Sequence, residues 1–168
     1  GIRRIVDEHY NPIIRRIRNL QKPVVCAVNG VAAGAGANIA LACDVVVASK
    51  SASFIQAFSK IGLIPDSGGT FMLPRLIGWQ RASALMMLGE KVASSEDMAM
   101  GMIYKVFEDA EFEAGAFSIA ITLSTMPTRG LALTKSLLNS SFANSLEEQL
   151  KEEEKLQAEA GATADYNE

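Results

Sequence analysis

Hydrophobic and polar residues follow two periods along this chain, and these periods predict which segments form strands and which form helices. Residues 1–20 place apolar side chains at helical spacing, which predicts an amphipathic helix with a break near Pro12. Short apolar runs at Pro23–Val28 and Val45–Ala48 are typical of buried strands, and Tyr104–Phe107 predicts a last one. Strand and helix signals therefore alternate in the first part of the chain.

Helical periodicity dominates the remainder. The predicted helices are Thr70–Ile77, Gln80–Leu88, Ser95–Met100, Glu111–Thr125, Thr128–Asn139 and Ser145–Ala158. Ser145 and Glu148 have the spacing of a capping box, which marks the start of the last of these helices. The pattern therefore predicts an α/β fold, with a mixed core over residues 1–107 and a helical region over residues 108–168.

A glycine-rich segment, Gly30–Asn38, lies between the first predicted strand and a helix predicted to start within Ile39–Cys43. Free N–H groups at such a junction favour an anion, either a phosphate or an oxyanion formed in a reaction. A dinucleotide fingerprint is disfavoured, because Ile39 replaces its third glycine and Asp44 begins the next strand rather than ending it. The remaining alternative is that the glycines only permit tight packing.

Composition narrows the classes of partner. A net charge of −3 gives no electrostatic reason to expect nucleic acid or a membrane surface. Cys26 and Cys43 lie in apolar segments, so we expect free thiols, and charges near the N-terminus argue against a secretory signal. We expect a cytoplasmic protein with no bound metal, because no His, Cys and acid cluster has ligand spacing.

Longer motifs resemble the crotonase (enoyl-CoA hydratase/isomerase) superfamily. They are Lys22–Gly36 followed by Leu41–Ala48, and Gly62–Thr70 followed by Leu73–Gly78. The likeness extends over nearly all 168 residues. It implies a partial crotonase-like ββα spiral core over residues 1–107 and a helical trimerisation region over 108–168, in a homotrimer or a hexamer of two trimers. Family members carry further strands before this part and a further helix after it, so the chain resembles a fragment.

The family resemblance also assigns the glycine loop a role. In crotonases two backbone N–H groups hold a thioester carbonyl and stabilise the enolate formed beside it, and the Ala35 amide matches one of them. Gly34 then lets the substrate approach the backbone closely. The implied substrate is an acyl-CoA thioester, in which CoA is part of the substrate and no separate cofactor is needed.

Carboxylates distinguish the branches of the family. Hydratases of the family carry two glutamates, whose matching positions here are Asn38 and Phe58, and neither residue can act as a base. Asp66 instead matches the aspartate of the isomerases, although an aspartate before Ser67 is also an ordinary helix cap or turn residue. The residues expected to contact substrate are Gly34, Asn38, Phe58, Ile64 and Pro65.

These positions together predict an acyl-CoA isomerase. Such an enzyme moves a double bond, or opens a ring epoxide, next to the thioester, with Asp66 as the single acid and base. An enoyl-CoA hydratase and a non-catalytic crotonase-fold assembly protein are the alternatives. The sequence does not specify the acyl group.

Overall fold

The structure, a computed structural model, describes residues 1–167. It begins with one long helical segment made of α1 (Ile2–Ile5), a π-helical turn (Val6–Tyr10) and α2 (Asn11–Asn19). Pro12 has no N–H to donate to the preceding turn, and the Asn11 N–H bonds to the carbonyl of Val6, five residues earlier. The predicted helix over residues 1–20 is confirmed, and a wider turn accommodates Pro12 without a break.

Two three-stranded sheets form the core. The strands are β1 (Val25–Val28), β2 (Val31–Ala33), β3 (Val45–Ser49), β4 (Ser53–Ile55), β5 (Lys91–Ala93) and β6 (Lys105–Phe107). The first sheet has the order β1-β3-β6 and is parallel throughout, with Val25 opposite Val45. In the second, β4 lies between β2, to which it is parallel, and β5, to which it is antiparallel. The three predicted strands are confirmed as β1, β3 and β6, whereas β2, β4 and β5 were not predicted.

Helices account for most of the rest of the chain. They are α3 (Ala35–Leu41), α4 (Gly69–Ile77), α5 (Trp79–Leu88), α6 (Ser94–Met100), α7 (Phe112–Ser124), α8 (Thr128–Ser140), α9 (Leu146–Gly161) and α10 (Ala164–Asn167), with a 3₁₀ turn at Ala57–Ile61. The capping box of Ser145 and Glu148 is confirmed at the start of α9. No helix within residues 1–167 combines the length and the apolar character needed to cross a lipid bilayer.

The start of α3 differs from the prediction. The helix begins at Ala35, four residues before Ile39, because Gly34 caps it with a φ of +53° and a ψ of −120°. Glycine adopts this backbone conformation without a Cβ penalty. The glycine loop is therefore shorter than predicted, and Ala35 is the first residue of the helix.

The apolar core packs α3 and α4 against the first sheet. Ala37 and Leu41 of α3, Leu73 and Ile77 of α4 and Val46 of β3 are all buried in one hydrophobic cluster. Small side chains on α3 let the helix lie close to the strands. This packing fixes α3, and with it the position of the Ala35 amide.

An ionic network ties α8 to the start of β3. The Asp44 carboxylate accepts bonds from Arg18 Nη1 at 2.9 Å and from Lys135 Nζ at 2.7 Å, and also from the Val24 N–H at 2.8 Å. The Arg18 guanidinium bonds Asn139 Oδ1 as well. These three charged side chains are largely shielded from solvent, and because each is paired with an opposite charge, none is left as an unpaired charge in the protein interior.

Candidate active site

The glycine loop ends in a free backbone amide. The Gly34 N–H donates to the carbonyl of Ile55 at 2.8 Å, which anchors the loop to the end of β4. The first α3 residue whose N–H bonds back to the loop is Asn38, at 3.2 Å from the Gly34 oxygen. The Ala35 N–H has no backbone partner within residues 1–167, and it is a donor at the positive end of the helix dipole.

The ring of Phe58 covers this loop. A Cβ built on Gly34 would lie 3.5 Å from Phe58 Cζ, so the ring is in contact distance of the Gly34 backbone. Phe58 is only 6% exposed and belongs to the 3₁₀ turn after β4. The side chain that faces this part of the loop is therefore apolar.

Asn38 joins the glycine loop to the turn that carries Asp66. Its amide nitrogen donates to the Asp66 backbone oxygen at 2.9 Å, and its oxygen accepts from Gln56 Nε2 at 2.7 Å. A Cβ on Gly69 would overlap the Asn38 amide, so the glycine is required for this close approach. Asn38 is fully buried, and both of its amide bonds are made to protein. Since Asn38 lies one helical turn after Ala35, the chain at Asp66 runs alongside the first turn of α3.

The Asp66 carboxylate is half-buried in a strained turn. The Ser67 hydroxyl donates to Asp66 Oδ1 at 3.0 Å, and Ser67 itself is 1% exposed with a φ of +52°. Such left-handed backbone is costly for a residue with a Cβ and often accompanies functional sites. Helix α4 is capped by Gly68 without a side-chain bond, so Asp66 is not the cap of this helix. The alternative of a turn residue is confirmed, because the Gly69 N–H donates to the Asp66 backbone oxygen at 3.0 Å.

A cavity of about 550 Å³ lies beside Asp66, between its turn and the N-terminal helix. Leu63, Ile64 and Pro65 line this cavity and also a second, mostly apolar one of about 460 Å³ on their other side. The polar residues of the N-terminal helix that line the first cavity are Arg3, Asp7 and Asn11. The structure thus combines Asp66 with apolar surface on one side and polar side chains on the other.

The predicted site residues fall into two neighbouring groups. Ile64, Pro65 and Asp66 line one cavity together. Gly34, Ala35 and Phe58 form the other group, and the lining of these two cavities does not include them. Asn38 links the groups through its bond to Asp66.

Sequence reasoning did not identify the cavity residues of the N-terminal helix. Arg3, Asp7 and Asn11 recur every four residues along the N-terminal helix, and Pro12 follows the last of them. This spacing was the available signal. Gln56, which supports Asn38, gave no recognisable signal, whereas Gly69 lies within the Gly62–Thr70 motif.

Comparison with known proteins shows which family the chain is similar to. A family model described as enoyl-CoA hydratase/isomerase matches residues 3–168. The chain is 49% identical over 163 residues to 1,2-epoxyphenylacetyl-CoA isomerase of Escherichia coli K12, covering 97% of this chain and 62% of that protein. It is 43% identical to a Rhodobacter capsulatus protein named as a probable enoyl-CoA hydratase, covering 98% of this chain and 64% of the relative.

Solved structures agree on the fold. The crystal structure of enoyl-CoA hydratase from Bacillus anthracis matches with a TM-score of 0.95 at 29% identity, covering 99% of this chain and 64% of that one. The chain thus spans less than two thirds of the length of these relatives. The predicted fold class, an α/β crotonase-like core followed by helices, is confirmed. The chain belongs to the enoyl-CoA hydratase/isomerase family, whose members named above are enzymes.

Proposed function

We propose that the protein is an acyl-CoA isomerase that uses Asp66 as its single acid and base. The observation that carries this proposal is that Asp66 is half-buried and lines a cavity, and that its backbone oxygen accepts a hydrogen bond from Asn38 of the helix that begins at Ala35. Proton transfer next to a thioester needs a base and an oxyanion-binding amide that can reach the same substrate, and the Asn38 bond holds the Asp66 turn alongside the first turn of α3.

The Ala35 N–H supports the enolate in this proposal. When a carbon next to the thioester loses a proton, negative charge develops on the thioester oxygen. A preorganised amide donor in a dry site stabilises such an oxyanion by about 3 to 4 kcal/mol. Phe58 provides an apolar surface close to this donor, because its ring packs over the preceding glycine.

The proposed reaction begins and ends on the same carboxylate. Asp66 takes a proton from the saturated carbon next to the thioester, or from the saturated carbon next to a double bond conjugated with it, and the electron pair of the broken C–H bond is delocalised into the enolate. For a double-bond shift, the resulting Asp66 carboxylic acid returns the proton to another carbon of the dienolate. For a ring epoxide, the enolate expels the epoxide oxygen, and the same acid protonates it.

The substrate proposal follows the 49% identical relative, whose name specifies the isomerisation of 1,2-epoxyphenylacetyl-CoA. We therefore propose an acyl-CoA thioester with a ring or chain of comparable size, of the kind that phenylacetate breakdown or fatty acid metabolism supplies. No separate cofactor enters the proposed chemistry, because CoA is part of the substrate. We also propose a homotrimer or a hexamer of two trimers, which light scattering of the full-length protein measures directly.

Product analysis in ¹⁸O-labelled water tests the activity. The full-length protein is incubated with 2-enoyl and 3-enoyl thioesters, and the products are analysed by mass spectrometry. An isomerase moves the double bond and incorporates no ¹⁸O, whereas a hydratase adds one labelled oxygen to the product. Incorporation of ¹⁸O would replace the proposal with the hydratase alternative, and no conversion of any thioester would favour the non-catalytic assembly protein.

A further inference from the structure

The N-terminal helix presents polar side chains to the cavity that contains Asp66. Arg3, Asp7 and Asn11 are spaced by four residues, so they share one face of the helix, and all three line the cavity of about 550 Å³. None of them takes part in the proton transfer proposed above. Their presence requires a separate explanation, because an acyl group made only of carbon and hydrogen gains nothing from polar walls.

Asn11 is the member of this group with an unused hydrogen-bonding side chain in a sheltered position. It is half-buried, and within residues 1–167 its amide has no hydrogen-bond partner. An unpaired amide that lines a cavity is therefore available to a bound molecule.

Local backbone geometry holds Asn11 at this place. It directly follows the π-helical turn Val6–Tyr10, and its N–H is bonded to the carbonyl of Val6. The helix is seated on the turn after Asp66, since a Cβ built on Gly68 would lie 3.8 Å from Ile14 Cγ2. Because Ile14 is one helical turn after Asn11, the amide is held close to the turn that carries Asp66.

The charged side chains that line the cavity limit which chemical group of a bound molecule can lie next to Asn11. Asp7 and Asp66 are two carboxylates, and Arg3 is the one cationic side chain in the lining. The resulting negative balance disfavours an acyl group that carries its own carboxylate. A neutral oxygen accepts a hydrogen bond from the amide without this repulsion.

We propose that the Asn11 side-chain amide donates a hydrogen bond to a neutral oxygen on the acyl group of the substrate. The substrate class is then a thioester whose acyl group bears an ether, epoxide or hydroxyl oxygen, in preference to the matching hydrocarbon. This assignment rests on the proposed isomerase function and identifies Asn11 as its specificity residue.

A matched pair of thioesters tests the assignment in the full-length protein. The first is cyclohexylideneacetyl-CoA, and the second replaces one ring methylene with an ether oxygen. The unsubstituted protein is expected to prefer the oxygen-containing thioester. Asn11→Leu is expected to lower kcat/KM for that thioester by about 10- to 100-fold and to change kcat/KM for the hydrocarbon thioester little. Asn19 is an exposed asparagine on the same helix, so Asn19→Leu is the control, and it is expected to keep the preference for the oxygen-containing thioester.

The outcomes separate this assignment from the function on which it rests. A preference that survives Asn11→Leu, or an equal loss on both thioesters, overturns the role of Asn11 while isomerase activity stands. No turnover of either thioester by the unsubstituted protein refutes both the function and the assignment. Thermal unfolding of Asn11→Leu is expected to match the unsubstituted protein, since the amide has no protein partner to lose, and Asn11→Ser is expected to recover part of the preference.

Discussion

The side-chain amide of Asn38 donates a 2.9 Å hydrogen bond to the backbone oxygen of Asp66, which joins the helix of the glycine loop to the turn that carries the carboxylate. Its oxygen is held in turn by Gln56 Nε2. Asn38→Leu keeps the size of the side chain but removes both bonds and leaves the buried Gln56 amide without its partner. We expect a loss of about 1 to 3 kcal/mol in the free energy of unfolding, measured by chemical denaturation.

The same substitution is expected to affect turnover more than binding. When Asp66 is displaced from α3, the carboxylate and the Ala35 amide lose their mutual alignment, so kcat falls while KM changes little. Asn19→Leu serves as the exposed control for both measurements. Unchanged stability and kcat in Asn38→Leu would show that the bridge does not position Asp66.

Ser67 offers a way to separate backbone strain from hydrogen bonding. Its φ of +52° is costly for alanine and easy for glycine, and its hydroxyl donates to Asp66 Oδ1. We expect Ser67→Gly to be more stable than Ser67→Ala by about 1 kcal/mol, because glycine relieves the left-handed conformation. Both variants lack the hydroxyl, so both are expected to lower kcat by a similar factor, of about tenfold. If kcat instead differed between the two variants in the same order as their stabilities, Ser67 would have a purely structural role.

Gly34 and Gly36 form a matched pair within the glycine loop. Gly34 has a φ of +53°, whereas a Cβ on Gly36 would meet open space at an ordinary helical position. Gly34→Ala is expected to cost about 1 to 3 kcal/mol of stability and to lower kcat, because the strained cap shifts the Ala35 amide. Gly36→Ala is expected to stabilise by about 0.4 to 1 kcal/mol. Equal effects of the two substitutions on unfolding and turnover would contradict this interpretation.

Asp97 predicts a specific dependence of stability on pH. It is fully buried, and neither carboxylate oxygen has a hydrogen-bond partner within residues 1–167. Burial, together with the nearby charge of Glu96, raises the pKa of Asp97 from 3.8 to about 7. The folded state therefore binds a proton that the unfolded state has already lost, and stability falls as pH rises from about 4 to 7 and then levels off.

Removing this carboxyl is expected to remove that pH dependence. Asp97→Ala should lose little stability between pH 4 and 7, whereas the unsubstituted protein should lose up to about 4 kcal/mol from this group. Chemical denaturation at several pH values measures the difference, with the exposed Asp165→Ala as control. A parallel decline in Asp97→Ala and in the unsubstituted protein would assign the dependence to other groups.

Local signals were sufficient for much of the fold. The β-branched run of β3 and the reciprocal bonds of Ser145 and Glu148 are determined by neighbours in sequence, and both were predicted correctly. The start of α3 was misplaced, because glycine and alanine carry weak helix signals and only the folded loop reveals that Gly34 is the cap. Strands β2 and β5 depend on pairing with β4 rather than on their own pattern.

The candidate site was predictable only in part. Asp66, Ile64 and Pro65 form one continuous motif, so the resemblance to the family was enough to select them. Gln56 could not be found in this way, because its bond to Asn38 forms only in the folded chain, and Asn11 had no signal besides its four-residue spacing from Asp7 and Arg3. The division at residue 107 and the trimeric assembly remain predictions.

Hydrogen exchange at the carbon next to the thioester tests the central claim most directly. The full-length protein and its Asp66→Asn variant are incubated with a 3-enoyl-CoA in deuterated water, and deuterium incorporation is followed by mass spectrometry while calorimetry measures binding. The nearly isosteric amide is expected to lower the exchange rate by at least about 100-fold and to leave thioester affinity unchanged, since it removes only the base. Exchange in Asp66→Asn at the rate of the unsubstituted protein would contradict the assignment of Asp66 as the base.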